Sequence, residues 1–339
     1  MKTLFLSREI KSYSRSSFLY ESYQGEKEFK HLYGSISEIR RQLELISSQM
    51  NDEIQAIVLM SPNHMLSRII KKNFKQVLIL DAGWPLSDAN FTRSINPKTF
   101  VNAAKNLAID YIAFHSADKI IFESKAQKNR SSMKFKLRAN KSFVIYTGCS
   151  IDFENSIQVT HTQARKQSVV YFRGKYNRES GLENIIEAAS LLNDSFKFII
   201  STNKKFKVLP SNVEVDNRHL SNTQIIDNYS NSDIVLGQLS NHPRIQYSIP
   251  HKFFEAAALG KAYITAESQS LREIVDDSMV HFIKNVSPEE IAREIVILNE
   301  DIAKRATLEA NIRKLFCSDL SAKALNSRFQ SLLTQFKDE

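Results

Sequence analysis

Lys252 and Glu255 are the residues whose types and spacing best suggest chemistry. They lie in IPHKFFEAAALGKAYITAESQSLREIV, residues 249–275. A spacing of three puts an ammonium and a carboxylate on one face of a helix. At a helix start, such a pair could hold a phosphate and a vicinal diol, and the free N–H groups there also face an anion. Pro250 suits the first turn, residues 256–259 are small or apolar, and Gly260 suits the left-handed position after a helix end. Residues 263–265 then read as a short strand. The plainer alternatives are a capping or surface carboxylate at Glu255 and a solvated first-turn cation at Lys252.

Positioning this pair takes strands and helices in alternation. In the first half the pattern predicts strands over 3–6, 54–60, 76–80, 119–122 and 142–146. Helices are expected over 34–49, 63–72, 97–116 and 124–137, the first with Ile36, Ile39, Leu43 and Ile46 on one face. Residues 7–17 read as a Ser-rich loop, and residues 81–90 as a loop holding the single Trp. The second half restarts with strands over 167–172, 196–201, 213–215 and 233–237. Helices follow over 179–192 and 222–230, with a helical tail over 288–336. Such alternation predicts two parallel α/β units, with a seam near residues 148–154.

With 339 residues, 42% hydrophobic and 24% charged, the chain can bury two ordinary cores. Two cysteines make no disulfide framework and no metal spacing, which fits a reducing compartment. Residues 1–7 are too short for a signal core, and the apolar runs fall short of a membrane span, so a cytoplasmic protein is expected. Net charge is +9, unevenly placed: residues 1–150 hold 23 Lys+Arg against 13 Asp+Glu, and residues 151–339 hold 23 against 24. A surplus confined to the first half reads as a solvated surface or as a face for an anionic membrane. Its densest stretch is the helix carrying Lys125, Lys128, Arg130, Lys134 and Lys136. No aromatic-interleaved basic motif accompanies the charge, so nucleic acid is not expected as a partner.

VVYFRGKYNRESGLENIIEAASLL, SNSDIVLG and the 249–275 segment together resemble the donor-binding domain of the group-1 family of retaining nucleotide-sugar glycosyltransferases. Residues 168–282 carry the resemblance, and the first half adds ADKIIFES, FVIYTGCSIDFE and LILDAGWPLSD. The last of these is similar to the Asp-x-x-Trp-Pro loop of a bacterial polysaccharide-transferase subgroup. The resemblance implies the GT-B fold: α/β, with two Rossmann-like domains facing across a cleft. Residues 1–150 would form the acceptor-side domain and 151–320 the donor-binding domain, with a helix over 321–339 packing back towards the first.

In that family the nucleotide sugar is a substrate, no cofactor or metal is needed, and the absence of any Asp-x-Asp sequence agrees. By resemblance Glu255 accepts from the ribose hydroxyls. Gly174, Lys175 and Lys252 meet the diphosphate, where cations stabilise the leaving charge. Arg218 and His219 approach the base, and Ser268, Gln269, Ser270 and Leu271 lie beside the sugar. Glu273 and Asp81 take the catalytic places. The acceptor implied is a cell-surface glycan or a lipid-linked sugar, reached at the inner membrane face.

Some positions depart from the family. Tyr247 stands where it has a first Glu, Ser180 where it has a Lys, and Gln269-Ser270 where it has a Gly pair. Ser-rich residues 12–17 replace a Gly-Gly loop, and Asp81 occupies about the place of a catalytic His. These departures leave two alternatives: a catalytically degenerate binding or scaffold protein, and a nucleotide-sugar epimerase. Trp84 and Pro85 could pack their loop or stack on an acceptor. His64 and His115 read as ordinary core or surface histidines.

Overall fold

Short runs of branched and aromatic residues, buried on both faces, form two parallel sheets in this computed structural model. It describes residues 2–9, 14–50, 53–90, 97–156 and 167–335. The chain divides into two compact units, Met1–Thr147 with Ala322–Glu339, and Gly148–Ser321.

The first unit runs β1 (Lys2–Ser7), α1 (Ser14–Ser22), β2 (Lys27–His31), α2 (Ile36–Gln49), β3 (Ile54–Leu59), α3 (Ser67–Asn73), β4 (Val77–Gly83), α4 (Leu86–Asn90), α5 (Pro97–Ser116), β5 (Lys119–Phe122), α6 (Lys125–Phe135) and β6 (Ser142–Val144). Its strands lie in the order β2-β1-β3-β4-β5-β6, all pairs parallel. Helix α2 opens on a capping box: Glu38 N–H donates to Ser35 Oγ, and Ser35 N–H donates to Glu38 Oε2. Ile39 and Leu43 are buried and Ile46 packs against the core, but Ile36 at the helix start is 37% exposed.

Three features of this unit depart from expectation. A helix, α1, takes the last four residues of the Ser-rich stretch read as a loop, of which residues 10–13 lie outside the described residues. Strand β2, KEFKH, was not expected at all; it is a charged edge strand, and edges carry charge rather than an apolar run. The loop expected over 81–90 is instead the end of β4 followed by α4, whose first N–H groups are capped by Asp110. Leu86 and Ser87 N–H donate to its two oxygens over 3.0 and 2.9 Å.

The second unit contains α7 (Ile151–Glu154), β7 (Ser168–Arg173), α8 (Leu182–Ser190), β8 (Phe196–Ser201), β9 (Val213–Asp216), α9 (Asn222–Ser230), β10 (Ile234–Leu236), α10 (His251–Ala258), β11 (Tyr263–Ala266), α11 (Gln269–Arg272), β12 (His281–Ile283), α12 (Pro288–Glu300) and α13 (Ile302–Leu315). Strand order is β12-β11-β10-β7-β8-β9, again parallel throughout. The order reverses between β7 and β10, and ligands of such sheets bind beyond the carboxyl ends of the strands at that switch point. Everything that β7 and β10 deliver to that edge is therefore a candidate for function.

Helix α8 begins three residues later than the pattern predicts. Asn177 Oδ1 accepts from the N–H groups of Glu179 and Ser180 over 3.0 and 2.8 Å, and this turn holds them out of the helix. Gly181 then enters α8 with φ 67°, and a Cβ there would lie 1.7 Å from the Leu239 carbonyl oxygen. Gly181→Ala is expected to cost more than about 3 kcal/mol, through strain and collision together, read as a lower urea midpoint at unchanged slope.

Beyond α13, a π turn (Phe316–Leu320) leads to α14 (Ala322–Thr334), which returns to the first unit. Phe329 of α14 packs edge-on to Tyr23, ring centroids 5.2 Å apart.

Candidate functional site

Arg173 ends β7, and the chain turns at Gly174, whose N–H donates to the Ser201 carbonyl over 3.0 Å. Between β10 and β11 the chain forms α10, whose residues from Lys252 to Ala258 are all buried. Its end follows the sequence closely: Gly260 adopts φ 60°, and Gly260 and Lys261 N–H return to the carbonyls of Ala257 and Ala256. Pro250 caps the helix from outside rather than starting its first turn.

Glu255 is 3% exposed and both of its oxygens are engaged. Arg173 Nη1 donates to Oε1 over 2.6 Å, and the Tyr229 hydroxyl donates to Oε2 over 2.8 Å. His251 Nδ1 lies 3.3 Å from Oε1. Burial pushes this carboxyl up, but the Arg173 charge and the bonds from His251 and Tyr229 outweigh it and hold it at about 2. Lys252 does not reach Glu255. Its Nζ stands 3.8 Å over the Phe172 ring, and a Cβ on Gly174 would come within 3.0 Å of it. Gly174 thus leaves space for the ammonium. Burial, with Arg173 nearby, lowers Lys252 to about 7 against the opposing pull of Glu255. Two cations and one carboxylate converge at the β7 end of the switch point, a constellation able to receive a polyanion and a diol.

The other expected residues are spread along the same sheet edge. Ser268 caps α11 after β11, its Oγ accepting from Leu271 N–H over 3.0 Å, and Ser270 and Leu271 are buried with it. Gln269 is exposed, and its N–H donates to Gln246 Oε1. Half-buried Glu273 closes α11. Arg218 follows the edge strand β9, and its guanidinium is tied to Asp216 by hydrogen bonds of 3.0 and 2.8 Å; exposed His219 comes next. Lys175 is also exposed. Ser180 is buried, its hydroxyl donating to the Asn177 carbonyl. The structure therefore brings Gly174, Lys252 and Glu255 together around Arg173, gathers 268–271 into one capped turn, and leaves Lys175, Arg218 and His219 at the surface.

In the first unit Asp81 is fully buried. Arg15 holds it, Nε donating to Oδ1 over 2.9 Å and Nη2 standing 2.8 Å away. Arg15 also reaches Glu123 at 3.5 Å and donates to Thr147 Oγ1 and the Ile145 carbonyl. These groups sit at the carboxyl ends of β4, β5 and β6. His64 is 1% exposed and packs edge-on to Phe114, and burial holds it below its ordinary range despite Asp110 and Asp81.

Arg173, Tyr229, His251 and Arg15 escaped the sequence reading. Arg173 did leave a signal, because a buried run of strand residues that ends in a cation delivers that cation to the strand's carboxyl end. Tyr229 and Arg15 left none: one looks like a core aromatic, the other like a surface Arg in a polar stretch.

Residues 178–326 match the model of a family described as glycosyl transferase-like. No curated protein matches the chain in sequence. Among solved structures, HepE of Anabaena in complex with UDP and glucose superposes with a TM-score of 0.71 at 16% identity, covering 99% of this chain and 100% of its own. Sucrose-phosphate synthase of Thermosynechococcus elongatus gives 0.76 at 10%, covering 100% and 99%. The E. coli trehalose-6-phosphate protein bound to UDP-2-fluoro glucose gives 0.67 at 9%, covering 99% of each. The chain has the GT-B fold of these proteins, and its residues 178–326 are similar to the glycosyl transferase-like family.

Proposed function

We propose that this chain is a retaining hexosyltransferase. It moves a sugar from a nucleotide-sugar donor to a cell-surface glycan or lipid-linked acceptor in polysaccharide biosynthesis. One observation carries the reading: Arg173, Lys252 and Glu255 converge at the switch point of the second sheet, and the last two lie within the residues that match the glycosyl transferase-like family. In this reading Arg173 and Lys252 take the donor's diphosphate. As Arg173 turns to the phosphates it releases Glu255, which then accepts from the ribose hydroxyls. The two cations then meet the charge that develops on the leaving diphosphate, a task for which the reaction needs no metal. Arg218 and His219 serve the base, residues 268–271 flank the sugar, and Glu273 contacts it. Asp81, with the Arg15 guanidinium it holds, takes the other catalytic place. UDP and glucose bound in the structural neighbours make uridine donors the first to try. No helix among the described residues is long and apolar enough to cross a membrane, so the proposed place of work is the cytoplasm, peripherally on the inner membrane face.

A thermal-shift panel of UDP, GDP, ADP and their hexose derivatives tests this. A donor at about 100 times its Kd should add roughly 2.7 kcal/mol to stability, a rise of a few degrees. Glu255→Ala should abolish the rise. No shift from any member of the panel would end the proposal. A second reading, a binding protein that no longer transfers, is favoured by the full engagement of Glu255 and by the lack of a cation at Ser180. Donor binding without donor hydrolysis or transfer to an acceptor extract would select it.

A further inference from the structure

Helix α5 buries Asp110, Ala113 and Phe114 but turns a second apolar face outward. Val101 is 70% exposed, Leu107 42%, Tyr111 55% and Ile112 41%, with Ala104 and Ala108 exposed between them. Spacings of three, four and seven align these side chains as one stripe. Lys105 is the one charged residue among the exposed positions of 101–112. An outward stripe of this kind is not needed for the core and marks a contact surface.

Cations surround it. Ile112 lines a groove of about 610 Å³ shared by α2, α3 and α5, in which exposed Ile36 and Met65 lie beside Arg40, Arg68 and Lys72, with Glu44 the one carboxylate among them. At the end of α5, His115 and Ser116 line a second hollow of about 740 Å³, with Lys71, Lys119, Lys136, Arg138 and Lys141 around Asp118. Burial, and the charges of Arg138 and Lys71, hold Lys141 below its ordinary range against the pull of Asp118. An anion in the hollow would relieve that crowding.

We propose that the outward face of α5, with the basic groove and hollow beside it, docks this protein flat onto an anionic lipid bilayer. The apolar stripe enters the boundary between headgroups and acyl chains, and the flanking Lys and Arg meet lipid phosphates. A second copy of the chain fits less well, because a self-paired face would set the Arg40, Arg68 and Lys72 clusters against each other. Nucleic acid would use the cations but leave the apolar stripe without a partner. The inference names the membrane-facing surface and does not depend on the donor reading, since vesicle binding needs no nucleotide.

Sedimentation of the full chain with phosphatidylcholine vesicles, with and without phosphatidylglycerol, tests it. Binding should require phosphatidylglycerol and weaken as salt rises. Val101→Asp with Leu107→Asp, and separately Arg68→Glu with Lys72→Glu, should each lower the partition coefficient about tenfold or more at unchanged Tm. Those side chains are exposed, so a loss of binding with Tm intact reports the surface and not the fold. Absence of binding to anionic vesicles overturns the proposal, as does binding that both variants leave intact. A dimer in solution that Leu107→Asp dissociates would reassign the face to self-association and overturn it as well.

Discussion

Arg173→Ala is expected to destabilise the second unit by about 2–4 kcal/mol at pH 7 and to abolish donor binding. Removing one partner of a buried pair leaves the other charge without compensation, and that loss exceeds the pair's net worth. Glu255 is 4% exposed at its side chain, while Arg173 is 35% exposed, so solvent screens part of the pair and keeps the loss below the largest known cases. The sign of the pH dependence separates this cause from lost packing. In the intact protein Glu255 is held at about 2, below its ordinary 4.5. It therefore contributes stability above about pH 4.5, lost as pH falls towards 2. Without Arg173, burial dominates and raises the folded pKa above the unfolded one. The carboxyl then favours folding only when protonated, so the deficit should be largest at neutral pH and shrink below pH 4. Glu255→Gln on the Arg173→Ala background should restore most of the stability, because a neutral amide has no charge to bury and its oxygen still accepts from Tyr229. Urea unfolding of the four proteins of this cycle at pH 4 and pH 7 is the measurement. A deficit independent of pH, unrelieved by Glu255→Gln, would mean that the pair is incidental.

This pair shows how far the sequence reaches. The α10 segment announces itself, because Gly260, the run of small residues and the i, i+3 pair are local features with local causes. The parallel sheets are legible for the same reason: buried strands such as β3, β4 and β7 read as continuous apolar runs. Elements held by distant contacts are not. Strand β2 is recognisable only by its pairing with β1, and the start of α8 is decided by an Asn177 turn and by the Leu239 carbonyl, which lies 58 positions from Gly181. The partners of Glu255 come from β7, α9 and α10, so no spacing in the chain predicts that Arg173, rather than Lys252, meets its carboxylate. Sequence reading therefore located the carboxylate and one cation but not the bond that governs their charge.

Lys252→Met should act in opposite directions on stability and binding. The ammonium is buried, 8% exposed, and its pKa stands at about 7 against an ordinary 10.5. Between those values the folded protein binds fewer protons than the unfolded chain, so stability rises with pH from about 7 to about 10.5 through this group. Below pH 7 the full cost of burying the charge is present. Methionine keeps most of the stem, carries no charge, and can set its sulfur against the Phe172 ring. At pH 6 the variant should gain about 2 kcal/mol, and the gain should vanish towards pH 10, where lysine is itself nearly neutral. Binding should go the other way. A diphosphate beside Nζ favours the ammonium, so removing it should weaken nucleoside diphosphate affinity by about 10–100-fold. The same coupling requires the parent protein to take up close to one proton per nucleotide at pH 8, visible as binding heats that depend on the buffer's ionisation enthalpy. A variant that is less stable at pH 6 and binds as tightly would show that this lysine holds the fold together and serves no phosphate. A variant that is more stable and binds poorly would show that the charge is kept, at a cost to stability, for the donor.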